Sequence, residues 1–510
     1  MRWLPTLGRA LAIVLAMTTP ISAQPGPGRP RDTLVVALVS HAPTLDPHMQ
    51  YEWVGILVSI NMFDSLLHRN ARLEYEPSLA VSWKALNDTV WEFRLREGVQ
   101  FHNGAVLTAE DVKYSFERVL DPLNRSPQYD NIRAIKSVRV MSPDTVHIVT
   151  DRPFPLLLER LVFFPIVPKQ HVERVGHDAF GESATVGTGP WKLAEFKRGQ
   201  HIRLEAFDRH WRGRPPFRVL TFRVIPDIAT QVSELKKGGV DIVRNVPGAL
   251  LADLGAHPQT RVSSAPILRT HYVQLDMRTE PFHKKAVRQA VNYAIDRDAL
   301  VRQLPAGLGR VVPTVVHPAA FGHDPAVPPY PFDPGLARTL LRLAGYPDGV
   351  EITLHSAFVE GRPIFEALAK MLTAVGVKTT ARAWDPDAAW TRFFQGEGRA
   401  SHGYYGAWGS HSIFDADAVL HPLYYTGSDG WVGKWYTRVA GLDQLIDQAR
   451  FTIDRDLRRR TYARVQRLLK DESPSIFLFH EFETLATART VEYAARGDQW
   501  LWLFDAKRTR

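Results

Sequence analysis

A chain of 510 residues, 45% hydrophobic and 23% charged, can bury a sizeable core and is too long for one ordinary domain. Its formal net charge is +9, but Lys and Arg are interspersed with Asp and Glu, as in TIDRDLRRR (452–460), and form no basic stripe of the kind a nucleic-acid binder needs. Cysteine is absent, which excludes disulfides, thiolate metal sites, a Cys nucleophile and an acylated lipoprotein anchor.

The first residues, MRWLPTLGRALAIVLAMTTPISAQ, carry Arg2 and Arg9, an apolar run from Leu11 to Met17, then Pro20 and Ala23. This is the pattern of a secretory signal peptide over 1–23, too short to span a bilayer. Its removal takes the net charge from +9 to +7. With no cysteine, the expected location is a bacterial periplasm, with no lipid anchor. PGPGRPR (25–31) reads as a leader, and no other stretch approaches 18 apolar residues.

DTLVVALVS (32–40) predicts a buried strand. In VWEFRLREGVQF, Trp91, Phe93 and Leu95 alternate with Glu92, Arg94 and Arg96, which predicts a half-buried strand. Asn103-Gly104 then predicts a tight turn, and Thr108 with Asp111 a capping box. The helix beyond places Val112, Phe116, Val119 and Leu120 on one face and stops at Asp121-Pro122. His102, Asn103, Glu110 and Asp111 are dense enough to suggest an active site. With Asn103 assigned to a turn and Asp111 to a cap, His102 and Glu110 are left without a third member or a nucleophile. The cluster reads as scaffolding.

HIRLEAF (201–207) and VLTFRVI (219–225) alternate like strands. TQVSELKKGGVDIV (230–243) predicts a helix stopped at Gly238-Gly239 and a strand from Val240 to Val243. KKAVRQAVNYAIDRDALV (284–301) aligns Val287, Val291, Ala294 and Ile295, and DPGLARTLLRLAGYPDG (333–349) has Asp333 as N-cap and Gly345 as stop. The stretch 313–334 is Pro-rich and reads as a surface loop, and 362–384 as a helix running into a strand. The fold class is α/β, without internal repeats.

Neither G-x-S-x-G, H-E-x-x-H nor a Walker loop is present, and GTGP (187–190) reads as a turn. No enzyme is expected, although a hydrolase using a carboxylate pair stays open as the rival class. His402, His411 and His421 are spaced too widely for a compact metal cluster, so neither metal nor cofactor is expected.

Seven segments in order carry a resemblance: TLDPH (44–48), NMFDSLLHRN (61–70), WEFRLREGVQFHNGAVLTAEDVKYSFERVLDP (91–122), VGTGPWKLAEFKRG (186–199), FRVIPD (222–227), PFHKKAVRQAVNYAIDR (281–297) and LLRLAGYPDG (340–349). The chain resembles the family 5 extracellular solute-binding proteins of ABC importers, whose ligands include dipeptides, oligopeptides, nickel and glutathione. The resemblance implies a two-lobed Venus-flytrap fold with an extra domain inserted in the larger lobe. Domain I is expected at 32–58, 185–267 and 479–510, domain II at 59–184 and domain III at 268–478. It also implies a monomer that captures a peptide or peptide-like solute between domains I and III. The monomer then delivers that solute to a membrane permease and its ATPase. A non-peptide solute (a metal chelate, an opine or an oligosaccharide) is the alternative.

Carried over position by position, the resemblance implies ligand contacts at Tyr51 and Trp53 from domain I, and at Trp390, Trp408 and Ser410 from domain III. His480, at the expected second domain crossing, is a further candidate, and Arg362 lies near the family's carboxylate-binding arginine. Peptide binders usually carry an Asp three residues after the equivalent of Trp408, to pair with the peptide ammonium. Here that position is His411, which weakens a simple dipeptide specificity. Asp415 and Asp417 are expected to cap the helix that follows. The run FDADAVLHPLYY (414–425) looks closer to the glutathione-type and less-characterised branches than to the classical dipeptide branch.

Overall fold

The computed structural model describes residues 32–304, 308–356, 361–383, 401–409, 413–428 and 430–509. The expected signal peptide and Trp390, Ser410 and His411 lie outside the described residues.

An eleven-stranded mixed sheet runs through the molecule. Its first part is built on Thr33–Leu38, buried at every position and paired in parallel with Val219–Val224. Such a strand needs a continuous apolar run, because both faces are covered. Hairpin neighbours His201–Ala206 and Trp191–Lys197 extend that side, and Ile242–Arg244 lies on the other. The far part contains Val350–Ser356, Val377–Ala383 and Gly403–Trp408. Two long antiparallel strands, Thr260–Leu275 and Ser475–Ala488, join the parts. Their register shifts between Pro266 and Tyr272. On one side of that irregularity they pair with Ile242–Arg244, on the other with Gly403–Trp408. Both strands therefore run from one part of the sheet into the other as continuous backbone.

A separate four-stranded antiparallel sheet holds Ala80–Asn87, Val90–Leu95, Thr145–Thr150 and Ile135–Ser142. The helix Ala109–Leu120 packs Val112, Phe116 and Val119 onto Phe93, Leu95, Val146 and Ile148. Both halves of the capping box at its start are formed. Asp111 also accepts the Lys169 backbone N–H at 2.9 Å, tying two helices together.

His102 is part of the scaffold. Its Nδ1 accepts from the Gly187 N–H at 3.1 Å and its Nε2 donates to the Gly189 carbonyl at 2.9 Å. Burial pushes its pKa down to about 4, so the ring is neutral and both nitrogens are used. The two glycines are required by proximity, since a Cβ on Gly187 would lie 2.1 Å from the Met62 carbonyl oxygen. Thus GTGP is a turn clamped by the histidine that looked catalytic.

The Pro-rich stretch differs from expectation. It has no regular secondary structure, yet Thr314, Val315 and Val316 are fully buried and Tyr330 nearly so. Interior backbone is tolerated where partners exist. Gln466 donates to the Gly322 carbonyl at 2.6 Å, and Val312 N–H reaches Leu478 O at 3.1 Å.

Candidate functional site

A cavity of about 470 Å³ gathers side chains from widely separated parts of the chain. Tyr51 stands just before the helix Trp53–Ser59, whose Val54, Leu57 and Val58 are buried. Asn61, just past that helix, donates to the carbonyls of Leu57 and Leu501, each at 2.9 Å, and accepts from the Leu503 N–H at 3.1 Å. This ties the C-terminal segment to the helix and brings Trp500 to the cavity wall beside Trp53. Trp53 in turn lies 5.3 Å beneath the guanidinium of Arg244, which pairs with Glu483.

The facing wall starts at Trp408, the last residue of its strand, opposite Thr270. Its Nε1 donates to the Ala418 carbonyl at 2.9 Å, and its ring packs on Trp431 at 4.3 Å. Gly409 follows because a Cβ there would lie 2.3 Å from the Leu268 carbonyl oxygen. The helix Asp417–Tyr424 adds Asp417, Ala418 and His421, and Arg450 reaches in from the end of Leu442–Arg450. A third wall comes from Asn131, Arg160 and Phe163.

Charged groups also line the cavity. Arg160 donates to the Asn131 side-chain oxygen at 2.8 Å, while its Nε is buried without a partner among the described residues. Burial lowers its pKa, and Tyr51, Asp417 and Glu159 act in the opposite direction. Arg450 Nε lies 3.8 Å from Asp417 Oδ2. Asp417 is 4% exposed, and its Oδ1 has no hydrogen-bond partner among the described residues. Asp415, by contrast, is consumed: Arg458 binds it with two hydrogen bonds of 2.6 and 2.8 Å, and the Tyr462 hydroxyl and Asp417 N–H also donate to it.

Of the expected contact residues, Tyr51, Trp53 and Trp408 come together in this cavity. His480 does not line it. It is buried against His317, with ring centroids 4.2 Å apart, and burial takes its pKa to about 4. Arg362 is exposed in the first turn of Arg362–Ala374, away from the lining. Asp417 makes no side-chain cap and lines the cavity instead. Asn131, Arg160, Phe163, Arg450 and Trp500 were not anticipated from sequence. The first three belong to the 59–184 segment, which was expected to stay out of the cleft.

Residues 74–431 match the family described as bacterial extracellular solute-binding proteins, family 5 Middle. The chain belongs to this family. Over 493 residues it is 28% identical to the glutathione-binding protein GsiB of Salmonella typhimurium, covering 94% of this chain and 93% of that protein. The fold is similar to HbpA2 from Haemophilus parasuis, with a TM-score of 0.85 at 23% identity, covering 94% of this chain and all of that one. It is also similar to DppA from Helicobacter pylori in complex with the peptide STSA, with a TM-score of 0.75 at 22% identity over 94% and 98% of the chains. Family 5 proteins are substrate-binding components of ABC importers, and these structural neighbours are two-lobed. No helix among the described residues is long and apolar enough to cross a membrane.

Proposed function

We propose that this family 5 binding protein works in the periplasm and captures a peptide or peptide-like solute in the cavity of Tyr51, Trp53 and Trp408. The observation that carries this reading is the composition of that cavity. Aromatic walls from several segments surround the Asp417 carboxylate and the Arg160 and Arg450 guanidinium groups. Aromatic side chains bury an apolar ligand body, and the charged groups hold its termini and fix its orientation. The glutathione-binding relative and the peptide-bound neighbour support the same class of solute.

In this reading the molecule divides as the sequence suggests, at 32–58, 185–267 and 479–510, at 59–184, and at 268–478. The sheet order supports the division, because among the described strands the two long ones pass between its first and far parts. Bending at their irregular register opens and closes the cleft around the solute. The chain acts as a monomer and performs no chemistry. The permease and its ATPase partner supply the transport step. An affinity in the micromolar range corresponds to roughly 8 kcal/mol of binding free energy.

Native mass spectrometry of the protein, purified without unfolding, tests the proposal. Peptide masses are expected on the wild type and much reduced on Trp408→Ala. A discrete non-peptide mass would move the substrate class, and unchanged occupancy in Trp408→Ala would remove this cavity as the site.

A further inference from the structure

Two aromatic walls of the cavity, Trp53 and Trp500, share a neighbour that is not itself part of the lining. Arg244 ends the strand Ile242–Arg244 and is 8% exposed. Its guanidinium lies 5.3 Å from the centroid of the Trp53 ring, within cation–π range. Its Nη2 donates to the Gln499 carbonyl at 3.0 Å and so holds the peptide group that leads into Trp500. The same nitrogen donates to Glu483, which is buried on the long strand Ser475–Ala488.

Both tryptophans stand where the backbone alone leaves freedom. Trp53 opens its helix behind Glu52, whose side chain forms no cap. Gln499 sits at φ +62°, a left-handed conformation that a residue with a side chain keeps only where its surroundings hold it. The Trp500 backbone is held by Asp498 and by the Tyr493 hydroxyl, but its Nε1 is buried with no hydrogen-bond partner among the described residues. A buried ion pair rarely repays its desolvation as stability alone. Arg244 repays it incompletely, because its Nε is also buried without a hydrogen-bond partner among the described residues.

We propose that Glu483, acting through Arg244, positions Trp53 and Trp500 and so sets the aromatic walls that receive the solute, given that this cavity is the binding site. Ionised Glu483 fixes the guanidinium in place; once protonated it keeps a hydrogen bond but loses the charge attraction. Burial raises Glu483 to about 6, against the pull of Arg244 and with the help of Asp498. Few other ionisable groups face it. The partner strand puts Ala265 opposite, and the C-terminal segment adds Asp498, held by Arg496 at 2.7 Å, and Tyr493, whose hydroxyl burial keeps protonated. The walls are therefore firm above pH 6 and loosened below it.

The test labels the intact, solute-free protein with 5-fluorotryptophan and follows the 19F resonances of Trp53 and Trp500. Each is identified by its loss in Trp53→Phe or Trp500→Phe. In the wild type both should move together between pH 7.5 and pH 5, with one midpoint near 6. In Glu483→Gln both should stay still over that range, with far-UV circular dichroism establishing that the variant is folded. Arg244→Gln should abolish the titration of both and weaken capture of a mixed tripeptide pool roughly 2- to 30-fold, the range of a cation–π contact. If a variant fails to fold, the wild-type titration decides, because static resonances or two unrelated midpoints overturn the proposal. Resonances that titrate unchanged in folded Glu483→Gln overturn it too. Capture of no tripeptide by the wild type would remove the peptide reading alone, since the resonances are read without solute.

Discussion

His102 illustrates how much a single side chain can do without chemistry. Both of its ring nitrogens are engaged by the turn at Gly187 and Gly189, and its ring meets Phe207 edge-on at 5.1 Å. Replacing it with alanine leaves a buried N–H and a buried carbonyl without partners. His102→Ala should therefore lose about 2 kcal/mol of stability, seen as a lower urea midpoint at unchanged slope. Solute affinity, measured by calorimetry, should stay within about 2-fold, because His102 does not line the cavity. A large loss of affinity in a folded variant would mean that the turn it clamps is coupled to the site.

At the scale of elements, the capping box of Ala109–Leu120 joins local and tertiary structure. Asp111 accepts from Thr108 at the helix start and from Lys169 in another helix. Asp111→Ala should cost about 2 kcal/mol, more than the roughly 1 kcal/mol of an ordinary cap, because a second segment loses its anchor. A urea titration beside Thr108→Ala measures the difference, and equal losses would show the Lys169 contact to be idle. Such elements were legible because their signals are local: Thr108 and Asp111, Asp333 and Gly345, the alternation from Trp91 to Leu95. The stretch 313–334 was misread because proline content reports the absence of regular hydrogen bonding and not depth. The partners that let it be buried, Gln466 and Leu478, lie more than a hundred residues away. The cavity divides in the same way. Tyr51, Trp53 and Trp408 could be singled out through the resemblance, next to segments that carry it. Arg160, Asp417 and Arg450 meet only after three separate helices have packed, and nothing in their neighbourhoods marks them.

For the molecule as a whole, acid is expected to destabilise the fold. Burial holds His48, His102, His355 and His480 at about 4, and His68 and His317 at about 3. An unfolded chain takes up these protons near 6.5 while the folded one does not, so their contribution is complete above 6.5 and declines as pH falls below it. Burial also pushes Asp415 and Glu483 up to about 6 and Lys470 down to about 7, and these three oppose the trend because between pH 7.5 and 5 the folded protein takes up their protons and the unfolded chain largely does not. With six groups against three, Tm should be lower at pH 5 than at pH 7.5. A Tm that rises on acidification would mean that Asp415, Glu483 and Lys470 dominate.

The second prediction at this scale concerns closure. Beside the cavity, Glu159 accepts from Arg69, from the Tyr75 hydroxyl and from the Phe414 N–H, while Arg69 lies 4.8 Å over the Phe414 ring. One carboxylate thus clasps the 59–184 segment to the start of 413–428. Its chain neighbour, Arg160, lines the cavity. Clasp and cavity wall are therefore adjacent on a single short helix, Leu157–Leu161. Glu159→Ala removes the shared acceptor, and the lobes should part more readily in the absence of solute. Small-angle scattering should then give a larger radius of gyration for unliganded Glu159→Ala than for wild type, with the two converging when a solute is bound. Arg160→Gln should do the reverse, weakening affinity without changing the unliganded radius. Breaking a buried, hydrogen-bonded charge pair costs roughly 3 kcal/mol, enough to shift a two-state equilibrium more than 100-fold. An unchanged radius in Glu159→Ala would show that closure is governed by the long strands alone. A changed radius in Arg160→Gln would show that clasp and contact are not separable.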